Sequence, residues 1–181
     1  MRYLLLLLVV FSTVLVHGQN KIPENFTGSF INKSTKVSWE KTFTASTSIK
    51  DVAKKMMGSS LFSDVDLDEN IIYAKVQPFK LDYKIQGGNG VNTLAYITDF
   101  IYSGFIIIKK TDAGFTTTLK NIKARSPKSY KVIDARLDGF EYPLETFVIN
   151  KKTNEFDTKS FVGRPAYVLD YNFNVILKSI L

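Results

Sequence analysis

Between Thr93 and Ile122 the chain carries a long β-type stretch, a turn and a return. Leu94, Tyr96, Ile97, Phe100, Ile101 and the run Phe105-Ile106-Ile107-Ile108 lead up to Thr111-Asp112-Ala113-Gly114, and Phe115 to Ile122 is again rich in β-branched residues. Aromatic and β-branched side chains suit the pleated surface of a sheet, and Asp and Gly supply turn chemistry. A hairpin this long commits the domain to antiparallel pairing. A two-stranded ribbon is marginal alone, so further strands and a covering layer must follow from the rest of the sequence. Gly104, inside the outward stretch, marks a bulge or kink.

Those elements can be found. Lys36 to Ala45 alternates, with Val37, Trp39, Phe43 and Ala45 on one side and Ser38, Glu40, Thr42 and Thr44 on the other. That is a half-buried strand, with Trp39 in the core and Lys41 marking an edge or a strand end. Ser48-Ile49-Lys50-Asp51 is a capping box. Ile49, Val52, Ala53 and Met56 follow it at helical spacing, Met56 and Met57 read as core fillers, and Gly58 closes the helix. Asn70 to Lys80 is a second strand, in which Ile72, Ala74 and Val76 alternate with Tyr73 and Lys75 and Pro78 limits the pairing. Gln86-Gly87-Gly88-Asn89-Gly90 is a flexible turn without the pattern of a phosphate cradle. Ala124 to Leu144, with Pro127, Gly139 and Pro143, reads as mostly irregular. Thr146–Asn150 and Ser160–Leu169 read as short strands or packed loops. Asp170 is placed to cap a last helix whose Phe173, Ile176, Leu177, Ile180 and Leu181 form one apolar stripe. Each helix must bury its stripe. The expected fold is therefore α+β, an antiparallel sheet of four or more strands with both helices packed on one face.

The N-terminus bears on location. Met1-Arg2 precedes the apolar run Tyr3–Val16 and then His17-Gly18. A positive start, a short apolar segment and a small residue at the cut are the pattern of a secretory signal. The run falls short of the ~20 apolar residues that span a bilayer. The expected organisation is a signal peptide over 1–18 cleaved near Gly18, a flexible lead-in over 19–35 and a single α+β domain over 36–181. The expected location is secreted or periplasmic, with no transmembrane segment in the mature chain. The lead-in contains two glycosylation triplets, at Asn25 and Asn32.

Composition then narrows the chemistry. There is no Cys, and the single His is His17, which leaves with the signal. Disulfides, Cys nucleophiles, Ser-His-Asp triads and the usual zinc, copper and haem ligand sets are thereby closed to the mature chain. No cofactor is expected. The net charge of +7 falls by one when Arg2 is removed, and Lys120, Lys123, Arg125, Lys128, Lys131 and Arg136 crowd together. Such a cluster fits either an anionic surface, such as phospholipid or acidic glycan, or a solvated strand face. No aromatic–basic motif for nucleic acid is present.

Two acidic clusters merit weighing. Asp64, Asp66, Asp68 and Glu69 have the opening spacing of a calcium loop. The sixth position is Glu69 instead of Gly and the twelfth is Lys75 instead of Glu, so an acidic connection beside a strand is the better account. Asp134, Asp138, Glu141 and Glu145 are the one plausible set for a carboxylate hydrolase, but Pro143 keeps Glu141 and Glu145 off a common helix face. The expected function is a non-enzymatic binding or envelope-associated module, with an envelope protein or anionic surface as partner. It would work through the sheet face left open by the helices, with Tyr73, Lys75, Tyr102 and Lys109 as binding residues. The alternative is a carboxylate-based hydrolase acting on an extracytoplasmic substrate.

The order strand, capped helix, strand, long hairpin, irregular segment, terminal helix resembles a family of short secreted bacterial domains of unknown function with a TATA-box-binding-protein-like fold. The residues that carry the resemblance are Val37-Ser38-Trp39-Glu40-Lys41-Thr42-Phe43 ahead of the Ser48 helix, and the hairpin from Ile106 through Thr111-Asp112-Ala113-Gly114 to Leu119. In that family a strand, a K-D-G-like turn and an aromatic-led return strand form a similar hairpin; the turn here is longer. The resemblance implies a curved antiparallel sheet in a β-α-β-β-β arrangement plus a C-terminal helix. It implies no catalytic residues, and the DNA binding of the namesake does not follow from fold.

Overall fold

The computed structural model describes residues 22–85, 93–127 and 139–181. Nine strands and four helices alternate along them: β1 (Phe30–Lys33), β2 (Lys36–Thr44), α1 (Ile49–Met57), β3 (Phe62–Asp68), β4 (Ile71–Lys80), α2 (Ala95–Thr98), β5 (Ile101–Thr111), β6 (Gly114–Arg125), β7 (Glu141–Pro143), α3 (Glu145–Val148), β8 (Ile149–Asn150), β9 (Glu155–Phe156) and α4 (Arg164–Lys178). Seven strands form one antiparallel sheet in the order β1-β2-β6-β5-β4-β3, with β7 added to β6; β8 and β9 make a separate ribbon.

The expected hairpin is the centre of the sheet. β5 and β6 pair from Ile101–Arg125 to Thr111–Gly114. Gly114 makes the turn possible: its φ is +147°, and a Cβ there would lie 2.0 Å from the Phe43 carbonyl oxygen. β4 joins the outer edge of β5, and β2 joins β6 with Trp39 opposite Leu119 and Phe43 opposite Phe115.

The two-residue period sorts the side chains. Val37, Trp39, Ile72, Ala74, Val76, Ile106, Ile108, Phe115 and Leu119 are all buried in one core. α1 brings Ile49, Val52, Ala53 and Met56 to that core, and α4 brings Phe173 and Leu177. Both helices therefore cover the same face, as their stripes require. Val52 is fully buried and Ile176 packs half-buried against the core. Ser48 caps α1, its hydroxyl accepting from the Asp51 backbone N–H at 3.1 Å.

The structure corrects several local expectations. Leu94–Phe100 does not extend the long strand: Ala95–Thr98 is a single helical turn, and β5 begins only at Ile101. Tyr96 and Ile97 are buried from that turn, so their apolar character reflects packing and not strand pairing. Ala124–Leu144 is less irregular than expected, since β6 runs to Arg125 and Glu141–Pro143 pairs with it. Residues 128–138 and the Gln86–Gly90 turn lie outside the described residues. Arg164-Pro165 belongs to no strand: it opens α4, with Gly163 at φ +87° preceding it and Pro in the first turn, where its missing N–H costs nothing. Thr146 to Val148 belongs to a helical turn, with strand only at Ile149–Asn150. Met57 is not core; it is 62% exposed, while Met56 beneath it is buried.

Asp170 is also not a cap. It sits inside α4, its Oδ1 accepting from the Trp39 indole N–H and the Ser29 backbone N–H, each at 2.8 Å, while Oδ2 accepts from Asn174 at 2.9 Å. This knot explains why the segment read as a flexible lead-in is ordered at its C-terminal end. Phe30 is buried in the core as part of β1, and Gly28 leaves room for the carboxylate, because a Cβ there would come within 2.8 Å of it.

Candidate functional site

With both helices on one side, no element among the described residues covers the other face of the central sheet. Its residues follow from the pairing. One row crosses Lys120, Phe105, Lys75 and Ser63; the next crosses Glu40, Thr118, Ile107, Tyr73 and Asp66; the third crosses Thr42, Thr116, Lys109, Ile71 and Asp68. Ile71, Tyr73, Phe105 and Ile107 are only half-buried, and the lysines beside them are exposed. The Tyr73 and Phe105 rings lie 6.4 Å apart with planes 26° apart. An apolar strip on β4 and β5 is thus flanked by Lys75, Lys109 and Lys120 and bounded on the β3 edge by aspartates.

Three of the four binding residues named from sequence share this face: Tyr73, Lys75 and Lys109. Tyr102 does not. It points into the core, fully buried, and its hydroxyl donates to the Tyr96 carbonyl oxygen. Tyr102 shares the two-residue period of the buried Ile106 and Ile108 along β5, whereas Lys109 has the opposite parity, so the two cannot lie on one face. The bulge at Gly104 leaves this period intact, because the extra residue is on β6: Ser103 stands opposite Lys123 and Phe105 opposite Lys120, with Asn121 and Ile122 facing one residue of β5. Burial holds the Tyr102 phenol well above its ordinary pKa, with the neighbouring Tyr96 adding to the effect, so it stays a neutral donor.

The acidic run is not a connection but the edge strand itself. Asp64, Asp66 and Asp68 lie within β3, and Glu69 follows at the turn with φ +48°. A bulge between Ser63 and Asp66, with Asp64 at φ +50°, separates the carboxylates along the strand. Asp64 forms an ion pair with Lys75 at 2.7 Å, and that hydrogen bond holds the Lys75 ammonium above its ordinary pKa. Among the described residues, no group of three or more His, Cys, Asp or Glu side chains is placed to hold a metal ion. Charges and a bulge on an exposed edge strand also discourage strand addition by another chain.

A second feature was missed by sequence reading. β6 has two partners on the same side: β2 pairs with it as far as Leu119, and β7 pairs with it only from Lys123. Residues 120–122 fall between the two, and Asn121 takes φ +48° there. The result is a notch of about 250 Å³ lined by Lys36, Asn121, Lys123, Glu141, Tyr142 and Glu145. Across Asn121, Lys123 and Glu141 it adjoins a depression of about 380 Å³ on the open face, bounded by Lys75, Gln77, Ser103 and Phe105. On the other side, past Lys36 and Glu145, lies a third of about 430 Å³ reaching Thr35, Lys151 and Asn154. Glu141 and Glu145, half of the carboxylate set named from sequence, therefore do line one notch. Each already has a partner: Lys123 meets Glu141 at 2.7 Å, and Glu145 accepts from the Val37 backbone N–H at 2.9 Å. Asp134 and Asp138 lie outside the described residues.

The signal that could have pointed to the notch was present in β6. Lys120-Asn121-Ile122-Lys123 breaks the alternation of the preceding residues, as a bulge does, but the arrival of β7 beside it is a long-range event that no local pattern announces. Among the described residues no helix is long and apolar enough to cross a membrane.

No protein-family model matches the chain, and no curated protein matches it. Among solved structures it is similar to a TBP-like protein from Parabacteroides distasonis, at 13% identity over 82% of this chain and 92% of that one, with a TM-score of 0.49. It is also similar to a DUF4468 family protein from Bacteroides ovatus, at 10% identity over 87% of this chain and 88% of that one, with a TM-score of 0.47. Likenesses at such identities bring no activity, ligand or partner to this chain.

Proposed function

We propose that this chain is an exported, non-enzymatic binding module that works through the uncovered face of its sheet. The observation that carries the reading is the half-buried strip of Ile71, Tyr73, Phe105 and Ile107 left open beside Lys75, Lys109 and Lys120. Apolar and aromatic area rimmed by charge is the usual make-up of a recognition surface. Export is supported by Arg2, the Tyr3–Val16 run and Gly18. The partner in this reading is an envelope protein or an anionic surface, which Lys109 and Lys120, both exposed beside the apolar strip, would meet.

The test is retention of envelope material on immobilised protein, comparing the natural chain with the triple variant Tyr73→Ala/Lys75→Ala/Lys109→Ala. Loss of retention at an unchanged melting point supports the reading. Equal retention sinks it. N-terminal sequencing of exported material tests the other half: a chain beginning at Met1 overturns cleavage. The carboxylate-hydrolase reading has one observation in its favour, the shared notch of Glu141 and Glu145. Lys123 and the Val37 N–H each already engage one oxygen of these carboxylates, so it stands second.

A further inference from the structure

We propose that the notch and the two depressions flanking it form one elongated site for an acidic oligosaccharide, a chain of sugar rings bearing carboxylates. The proposal rests on the reading of this protein as a binding module and names the ligand class.

Shape comes first. The three hollows share their boundary residues, Asn121, Lys123 and Glu141 on one side and Lys36, Pro143 and Glu145 on the other. Each is about the size of one or two sugar rings, and together they make a shallow track across the end of β6. A small metabolite would be buried more deeply in a concave pocket, whereas a polymer needs a track. The chemistry points the same way. Gln77, Ser103, Asn121, Thr35 and Asn154 offer amide and hydroxyl groups that both donate and accept, which matches the sugar hydroxyl. Phe105 supplies an apolar wall beside them.

Charge selects the acidic sugars. Lys75, Lys123, Lys36 and Lys151 follow one another along the track, the first two ion-paired with Asp64 and Glu141 and so contributing less than the last two. The lining carboxylates are spoken for, Glu141 by Lys123 and Glu145 by a backbone N–H. Lys36 and Lys151 are exposed, with no carboxylate within ion-pair distance among the described residues. Cations spaced along a groove fit carboxylates spaced along a chain better than one compact anion. Single-stranded nucleic acid would call for successive aromatic platforms along the track, and among the described residues only Phe105 and Tyr142 line it.

The experiment is an NMR titration of the full-length mature protein with hexagalacturonate, with maltohexaose as the neutral counterpart and phosphatidylglycerol vesicles as a generic anionic surface. Hexagalacturonate should shift amides around Asn121, Lys123 and Phe105, and maltohexaose should bind about tenfold or more weaker. The exposed-site variant Lys36→Ala/Lys151→Ala and the separate variant Phe105→Ala should each weaken hexagalacturonate about five- to tenfold without lowering the melting point, as expected for surface groups. Using two variants keeps the test open if Phe105→Ala disturbs the sheet. No amide shift at millimolar hexagalacturonate, equal binding of maltohexaose, or affinity unchanged in both variants overturns the proposal. So does binding to the vesicles that competes fully with hexagalacturonate and vanishes at 0.15 M salt, which is mere polyelectrolyte attraction. If hexagalacturonate fails while envelope material is still retained through Tyr73, Lys75 and Lys109, the ligand assignment falls and the binding-module reading stands; if both fail, both fall.

Discussion

Asp170→Ala should be among the more damaging single substitutions in this protein, although it deletes no large side chain. Its carboxylate ties two distant pieces of chain to α4, the Ser29 N–H before β1 and the Trp39 indole in β2, and also holds Asn174 one turn along the same helix. Truncation leaves the Trp39 N–H without an acceptor in a fully buried site, which costs about 1–3 kcal/mol. The Ser29 N–H is only part-buried, so water can replace its acceptor and the cost is about 1 kcal/mol or less. Against this stands a gain, because a carboxylate only 9% exposed no longer has to be desolvated without a cation beside it. The net expectation is a loss of about 2–3 kcal/mol. Asp170→Asn separates the terms. An amide oxygen can keep both Oδ1 bonds, and only the Asn174 contact must rearrange, so the loss should be about 1 kcal/mol. Urea unfolding with a common slope measures both. A loss below about 1 kcal/mol for Ala, or an Asn variant as damaged as the Ala variant, would refute the account of the knot. In a double-mutant cycle with Trp39→Phe, a coupling energy near zero would do the same.

Other consequences can be checked with the same apparatus. Gly114→Ala should cost at least ~2 kcal/mol, because its Cβ would strike the Phe43 carbonyl and the φ is unfavourable, whereas Gly58→Ala, at φ −80° with the nearest atoms 3.6 Å away, should be neutral or stabilising by up to about 1 kcal/mol. Val52→Ala on α1 should lose about 1–3 kcal/mol, and an unchanged urea midpoint would mean that α1 does not seal the core. Burial, reinforced by a charge or a neighbouring phenol, raises the pKa of Tyr96 and Tyr102 in the folded state, so their contribution is complete below the unfolded value of about 10 and is lost as the pH rises toward the folded values. Melting points should accordingly fall above about pH 10, and more gently in Tyr102→Phe; a flat profile to pH 11 would contradict this. The melting point should be indifferent to reductant, since the chain has no Cys, and to EDTA, since Asp64 is engaged by Lys75 and Asp66 and Asp68 stand apart on the strand; a fall on chelation restored by calcium would reinstate the acidic run as a site.

What the sequence made legible was whatever depends on neighbours in the chain. The Ser48 cap, the Ile49–Met56 stripe, the alternation of Val37 and Trp39 and the Asp112–Gly114 turn are each written within a dozen residues, and each is where local physics puts it. Misreadings cluster where two demands on one residue look alike. Tyr96 and Ile97 are apolar because they are buried, and burial from one helical turn gives the same letters as burial from a strand. Asp170 precedes an apolar run as a cap would, yet it serves a tryptophan 131 positions away. Tyr102 has the parity of Ile106 and Ile108 on β5 and Lys109 the opposite one, so alternation along the strand already separates the two, and the aromatic ring belongs to the core.

The candidate site was half legible for the same reason. Tyr73, Lys75 and Lys109 follow from alternation on β4 and β5 once it is known which parity faces the helices. The notch at 120–122 follows from none of these rules. It exists because β6 outruns β2, and the chain returns with Glu141–Pro143 to pair with the remainder, leaving a gap at the changeover. A sheet that closed this gap with one continuous neighbour would bury Asn121 in the ladder and bring no Lys36 or Glu145 to its edge. The gap therefore gives the sheet end an opening that a single long partner strand would seal, and it sits beside the face the helices leave bare. Lengthening β2's pairing, by a change that removes the bulge at Asn121 such as its deletion, should close the notch while leaving the Phe105–Tyr73 strip in place. Hexagalacturonate binding should then be lost in that variant with envelope retention preserved; binding that survives the closed notch would place the ligand elsewhere on the face.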